Sequence, residues 1–117
     1  MSAINKITEA LVNFRNERDW KQFHNAKDLA IAINVEASEL LQLFLWKEAQ
    51  EPKDERIKEE LADVFAFAFL LAHEKGFDIE EIILDKIKIN AEKYPIEKAK
   101  GNAKNTMNYE TLRRLFC

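Results

Sequence analysis

Apolar residues recur every three or four positions along most of the chain, which is the spacing of side chains on one face of an α-helix. Pairs with capping-box spacing begin the second and fourth predicted helices, and Gly76 and Pro95 mark the ends of the third and fourth. The pattern predicts four main helices: Ser2 to about Arg18, Asn25 to Trp46 or Lys47, Lys53 or Asp54 to Lys75, and Asp78 to about Lys93. A short terminal helix is predicted over residues 109–116. The fold class is therefore all-α.

Composition narrows the functions that this helical chain can have. It has 117 residues, two glycines and two prolines, so it holds one domain and no glycine-rich phosphate loop. A net charge of −3 argues against a general nucleic-acid binder, and no apolar run is long enough to span a membrane. The single Cys117 indicates a reducing, cytoplasmic setting, and we expect no signal peptide.

Acidic residues interrupt the apolar stripes of the second and third helices. Each helix has two acids three residues apart, namely Glu36 and Glu39, then Glu60 and Asp63. A buried carboxylate must be paired or neutralised, so four converging acids favour an oxygen-ligated cation such as Mg²⁺ or Mn²⁺. Iron is disfavoured because a di-iron bundle needs Glu-x-x-His pairs. The alternative is that these acids belong to solvated helix faces.

The fourth helix has a stripe that begins apolar and ends polar. Lys86, Asn90 and Lys93 share one face and could donate hydrogen bonds to a polyphosphate held by the metal. An ordinary solvated face explains the same spacing equally well.

Aromatic residues cluster near the predicted acidic site. Trp20, Phe23 and Trp46 could stack on a flat base, with His24 beside them. The alternative is that Trp20 and Phe23 close one end of the bundle and that His24 has a structural role.

Together these motifs resemble the MazG-like nucleoside triphosphate pyrophosphohydrolases, an all-α superfamily, and within it the compact dCTP pyrophosphatase branch. The family pattern of Glu-x-x-Glu followed by Glu-x-x-Asp is present at Glu36–Glu39 and Glu60–Asp63. Further matching segments are residues 18–24, 43–47 and the Lys86-x-x-x-Asn90-x-x-Lys93-Tyr94-Pro95 cluster. The resemblance covers residues 1–104 as one MazG-like four-helix domain, and residues 105–117 form a C-terminal tail.

The resemblance implies an enzyme that converts a nucleoside triphosphate and water to the monophosphate and pyrophosphate, with dCTP or modified deoxynucleotides as substrates. It implies that the four acids bind Mg²⁺, with Mn²⁺ as a possible substitute, and that Glu36 or Glu39 activates the water. The phosphate-binding set it implies is Lys86, Asn90, Lys93, Tyr94 and Lys104. The base-binding set is Trp20, Phe23, His24, Trp46 and Phe67.

Two positions depart from characterised dCTP-preferring relatives. Leu11 and Phe67 stand where those relatives have a histidine and a tyrosine near the nucleotide, so strict cytosine preference is not expected.

The apolar third helix and the resemblance both predict a homodimer or a dimer-of-dimers tetramer. The alternative to an enzyme is a non-catalytic helical oligomerisation or regulatory module whose acids pair with lysines.

Overall fold

The computed structural model describes residues 1–45 and 52–101, and within these ranges it contains helices and no β-strand. The α-helices are α1 (Ala3–Glu17), α2 (Ala26–Leu45), α3 (Asp54–Lys75), α4 (Ile79–Lys93) and α5 (Ile96–Ala99). A single 3₁₀ turn, Lys21–Phe23, lies between α1 and α2. The predicted all-α class is confirmed. Some of the predictions fall outside the described residues: the C-terminal end of the second helix, the side chains of Trp46 and Lys104, and the tail at 105–117.

Local chemistry explains where the helices begin and end. The Ser2 hydroxyl accepts a hydrogen bond from the Asn5 amide and caps α1. Asn25 caps α2, since its Oδ1 accepts from the Asp28 amide and its Nδ2 donates to the Asp28 carboxylate, both at 2.8 Å. Gly76 ends α3 with φ of 71°, a left-handed conformation that glycine adopts without steric cost.

The short helix α5 was not predicted from the sequence. Residues 96–99 are two charged and two apolar residues, too few to show a helical period. Pro95 precedes them in an extended conformation, and its carbonyl accepts the amides of Lys98 and Ala99. Pro95 is the N-cap residue of this four-residue helix, which has no apolar stripe that the sequence could show.

The chain divides into two compact units, residues 1–79 and 80–117. In the first unit α3 packs extensively along α2 and also contacts α1. Leu29, Leu70 and Ala72 are its buried apolar residues, a small core among the described residues. Many other large apolar side chains stay half-exposed.

The second unit contains α4 and α5. Its isoleucines and leucine on α4 are about half exposed, from Ile82 at 44% to Ile87 at 56%. Within the described ranges, none of the helices combines the length and apolar character needed to cross a bilayer.

Candidate functional site

Three carboxylates from α2 and α3 converge in the first unit. One oxygen each of Glu36, Glu60 and Asp63 lies within 4.8 Å of the other two. These oxygens come together because Glu36 interrupts the apolar stripe of α2, while Glu60 and Asp63 are one turn apart on α3. The cluster has the donor type and spacing to hold a hard divalent cation.

The carboxylates of this cluster are poorly compensated. The Oε2 atoms of Glu36 and Glu60 are buried and have no hydrogen-bond partner among the described residues. Glu60 Oε1 lies 3.7 Å from Nη2 of Arg56, whose side chain is 59% exposed. Buried acceptors with surplus negative charge are what a bound cation would satisfy, so the residues present fit a metal.

Burial and the neighbouring acids raise the pKa values of two carboxyl groups in the cluster. Burial raises the pKa of Glu36 to about 7, and a hydrogen bond with Glu39 and the charges of Glu39, Asp63 and Glu60 add to the effect. Burial also raises the pKa of Glu60, followed by Glu39 and Asp63, while Arg56 acts in the opposite direction. Glu39 itself is exposed and lies outside the three-oxygen group, although it is close enough to interact with both neighbours.

A cavity of about 530 Å³ adjoins the acidic cluster. Asp63 belongs both to the cluster and to the lining of this cavity. The remaining walls come from α1, α3 and the segment between α1 and α2, and most of them are apolar or aromatic. Volumes of this size hold small-molecule ligands in other proteins.

The predicted base-binding residues are divided by the structure. Trp20, His24 and Phe67 line the cavity, as does Leu11, whereas Phe23 is 60% exposed and lies outside the lining. The rings of His24 and Phe67 pack edge to face at 6.2 Å. The structure thus brings three of the five residues to one place, and Trp46 lies outside the described residues.

The turn after α1 sets the position of Trp20. Asp19 has φ of 55°, a left-handed conformation that aspartate tolerates better than most residues. The chain therefore reverses, and the Trp20 amide donates to the Arg15 carbonyl at 3.1 Å. Trp20 then meets the Phe14 ring edge to face at 5.8 Å.

Four of the five predicted phosphate-binding residues lie in the described part of the second unit. Lys86, Asn90 and Lys93 share one face of α4, as their spacing predicts, because α4 is helical throughout. The Lys93 ammonium lies 5.5 Å from the centre of the Tyr94 ring. Lys104 lies outside the described residues.

Sequence reasoning missed a charged pair in the cavity wall. Arg15 is 2% exposed, lines the cavity and pairs with Glu74 of α3, with Nη1 and Oε1 2.5 Å apart. A signal for it exists, since Arg15 is four residues after Leu11 and continues the apolar stripe of α1. A charge on an apolar stripe is the same anomaly that revealed the glutamates of α2.

Comparison with known proteins gives concordant matches. The MazG-like family model matches residues 31–108. dCTP pyrophosphatase 1 from Mus musculus is 34% identical over 98 residues, and the protein of that name from Homo sapiens is 34% identical over 99 residues. These alignments cover 77% and 78% of this chain, which spans 58% of the length of each of these relatives.

A solved structure is also similar. The crystal structure of a pyrophosphatase from Archaeoglobus fulgidus has a TM-score of 0.75 and 28% sequence identity. The match covers 81% of this chain and 94% of that one.

Proposed function

Since the chain belongs to the MazG-like family, as its motifs predicted, we propose that it is a Mg²⁺-dependent nucleoside triphosphate pyrophosphohydrolase. The proposed substrates are dCTP or modified deoxynucleoside triphosphates, and the products are the monophosphate and pyrophosphate. The relatives named dCTP pyrophosphatase 1 support this reaction class. Its role would be the removal of unwanted nucleotides from the pool.

One observation carries the proposal: Asp63 is shared by the acidic cluster and the aromatic cavity. A nucleotide has an anionic triphosphate, which needs cations, and a flat base, which needs apolar walls. The first unit offers a cation-binding cluster and an aromatic cavity that meet at one residue. Such an arrangement suits a ligand with both chemistries better than it suits a lone metal ion.

In the proposed reaction, the acidic residues would hold the metal ion at the triphosphate. Glu36, Glu60 and Asp63, with Glu39 beside them, would hold Mg²⁺, which supplies charge neutralisation at the triphosphate. The oxygen of a water molecule would attack the α-phosphorus, the bond from that phosphorus to the bridging oxygen would break, and pyrophosphate would leave.

The proton of the attacking water needs an acceptor in the cluster. Glu36 or Glu39 is the proposed general base, since both carboxylates are on α2 beside the predicted ligands. The pKa of Glu36 is about 7 in the metal-free protein, and bound Mg²⁺ would lower it, which would leave the carboxylate ionised and able to accept a proton.

Two further sets of residues, which the family resemblance implies, belong to the proposal. Lys86, Asn90, Lys93, Tyr94 and Lys104 are proposed to contact the phosphates. Trp20, Phe23, His24, Trp46 and Phe67 are proposed to enclose the base.

Exposed apolar surface supports a homodimer or a dimer-of-dimers tetramer. An apolar groove of about 400 Å³ is lined by side chains of α1 and α3, including Ile7, Phe65 and Phe69. Phe65 is 56% exposed and Ile7 is 48% exposed. A second copy of the chain is the proposed cover for this surface. We also propose a cytoplasmic location, which the lone cysteine supports.

The proposed function is tested by pyrophosphate release from a panel of canonical and modified nucleoside triphosphates with Mg²⁺. Asp63→Asn should lower kcat/KM by about 10³-fold or more, because it removes a ligand from the metal cluster. Glu59→Gln is the matched control, since Glu59 neighbours the cluster in sequence but its side chain is 71% exposed. It should retain full activity.

The same variants separate the enzyme from a non-catalytic oligomerisation module, which the exposed apolar groove would also suit. Mg²⁺ should raise the melting temperature of the wild type and of Glu59→Gln, but not of Asp63→Asn. If no nucleotide were hydrolysed and Mg²⁺ did not change the melting temperature, the enzyme proposal would be wrong and the oligomerisation module would be favoured.

A further inference from the structure

An exposed arginine lies beside the acidic cluster without a hydrogen bond to it. The side chain of Arg56 is 59% exposed, and its Nη2 atom lies 3.7 Å from Oε1 of Glu60. Its Nε atom lies 4.0 Å from Oε2 of Glu59, whose side chain is 71% exposed. Both distances exceed the upper limit of an N–H···O hydrogen bond, which is roughly 3.2 Å. Neither carboxylate therefore uses the hydrogen-bond donors of the guanidinium.

The two carboxylate oxygens of Glu60 have different surroundings. Oε1 lies near the exposed guanidinium of Arg56, whereas Oε2 is buried and has no hydrogen-bond partner among the described residues. Glu60 also contributes an oxygen to the three-carboxylate group that could hold a metal ion. An anionic ligand that extends from this group past Glu60 would therefore meet the guanidinium.

Arg56 lies on the same face of α3 as two acids of the cluster and one residue of the cavity wall. Residues 56, 60, 63 and 67 are four, three and four positions apart, so they lie within about 60° of one another around the helix axis. Along this axis Arg56 is about 10 Å before Asp63, and Phe67 is about 6 Å after it. Phe67 lines the cavity proposed for the base, and Arg56 lies outside that lining. The cationic and aromatic ends of this face are thus on opposite sides of Asp63.

The chemistry of a guanidinium suits the terminal phosphates of a nucleotide. Arginine can bind two phosphate oxygens at once, and such charge-assisted hydrogen bonds are shorter and stronger than those between neutral groups. In the proposed reaction the α-phosphorus lies at the acidic cluster and the base occupies the cavity. Since the cavity is on the Phe67 side of Asp63, the β- and γ-phosphates extend toward the Arg56 side.

We propose that Arg56 binds the β- and γ-phosphates of the nucleotide, which together leave as pyrophosphate. The substrate lies along α3, with its base near Phe67 and its terminal phosphates at Arg56. The charge of Arg56 offsets the negative charge that develops on the bridging oxygen as its bond to the α-phosphorus breaks. This inference rests on the proposed function and deepens it, because it gives the nucleotide a direction along the helix.

Activity on dCTP with Mg²⁺ gives the first test. Arg56→Ala should lower kcat/KM by about 10- to 100-fold, because a charged hydrogen-bond donor to the leaving group is lost. Arg56→Lys keeps the charge but not the paired donors, so it should recover only part of this loss. Lys58→Ala is the matched control and should keep the wild-type value, since Lys58 is exposed and lies on the opposite side of α3.

Calorimetry tests the same contact without turnover. With Mg²⁺ present, Arg56→Ala should bind inorganic pyrophosphate about tenfold more weakly than the wild type, or worse. It should bind dCMP as the wild type does, because dCMP has no β-phosphate. Mg²⁺ alone should bind the variant at least as tightly as the wild type, since a cation beside the cluster has been removed. Lys58→Ala should match the wild type with each of these three ligands.

The outcomes separate the phosphate contact from the proposed function. If the wild type binds pyrophosphate through Arg56 but hydrolyses no nucleotide, the contact is supported and the enzyme proposal is wrong. Equal pyrophosphate binding by the wild type and Arg56→Ala overturns the contact, as does a folded wild type that does not bind pyrophosphate. An equal loss of dCMP and pyrophosphate binding also overturns it, since Arg56 would then act on the whole cluster and not on the terminal phosphates.

Discussion

The first unit brings charged side chains together at two sites, and the charges at the two sites are balanced differently. Arg15 and Glu74 form a pair in which each charge offsets the other. Glu36, Glu60 and Asp63 form a group of like charges whose nearby cation, Arg56, is 59% exposed. The pair is complete within the chain, whereas the acidic cluster needs protons or a cation from solution.

This difference distinguishes a structural charge from a binding charge. A charge that meets its partner inside the fold is compensated without any ligand, and the folded state loses stability when only one of the two partners is removed. A charge that meets only like charges makes the ligand-free fold less stable and makes ligand binding more favourable. Three variants measure how far this contrast extends.

The largest effect on stability is expected when the balanced pair is broken. Glu74→Ala leaves the Arg15 charge buried without its partner and should lower the free energy of unfolding by about 3 kcal/mol. This is the low end of the usual range, because the Glu74 side chain is 23% exposed and water replaces part of the interaction. Urea denaturation in EDTA measures it.

The double variant Arg15→Met with Glu74→Gln is the control for that experiment. It should retain most of the wild-type stability, since neither charge remains. If Glu74→Ala proved as stable as the wild type, Arg15 would be solvated on opening of the cavity and the pair would not be structural.

In the acidic cluster, the removal of one charge is expected to raise the stability of the metal-free protein, by less than the loss expected for Glu74→Ala. The pKa of Glu36 is raised from 4.5 to about 7, so the folded state binds a proton more tightly than the unfolded state. Its contribution to stability is therefore fully present below pH 4.5 and is lost as the pH rises through about 7. Glu36→Gln removes this loss and should stabilise the metal-free protein at pH 8 by on the order of 1 kcal/mol, since water screens part of the repulsion.

Melting temperatures in EDTA, from about pH 5.5 to about pH 8.5, test this sign. The advantage of Glu36→Gln over the wild type should grow with pH, and Mg²⁺ should reverse it by stabilising only the wild type. A difference independent of pH would show that Glu36 does not titrate with folding.

The smallest effect is expected at Arg56, the exposed cation beside the cluster. Arg56→Ala should change the free energy of unfolding by less than about 0.5 kcal/mol, because an exposed ion pair at 3.7 Å is weak. Chemical denaturation measures the change. A loss above 1 kcal/mol would mean that Arg56 neutralises the cluster and that the contrast with the Arg15–Glu74 pair is wrong.

The sequence predicts the helices well because their signals are local. The Asn25–Asp28 capping pair and the Gly76 end of α3 depend on residues within a few positions of each other. The convergence of Glu36 with Asp63 could also be anticipated, since acids on the apolar stripes of two helices must meet when the helices pack.

The cavity and its buried pair could not be predicted in the same way. Arg15 and Glu74 are 59 residues apart, and Glu74 alone looks like an ordinary residue near a helix end. Their pairing depends on how α1 packs against α3, which no local pattern encodes. The left-handed conformation of Asp19, which sets the position of Trp20, could not be predicted either, because no glycine marks this turn in the sequence.

Helix α3 fixes the spacing between the acidic cluster, the cavity wall and the Arg15–Glu74 pair. Glu60, Asp63, Phe67 and Glu74 lie along it in that order, so one rigid element spaces the acidic cluster, the cavity wall and the buried pair. Each residue of an α-helix advances the chain by about 1.5 Å and turns it by about 100°. One residue inserted between Phe67 and Glu74 would therefore rotate Glu74 away from Arg15. The same insertion in a turn between helices would leave the spacing of residues along α3 unchanged. Over evolutionary time the chain can change length between its helices far more readily than within this one.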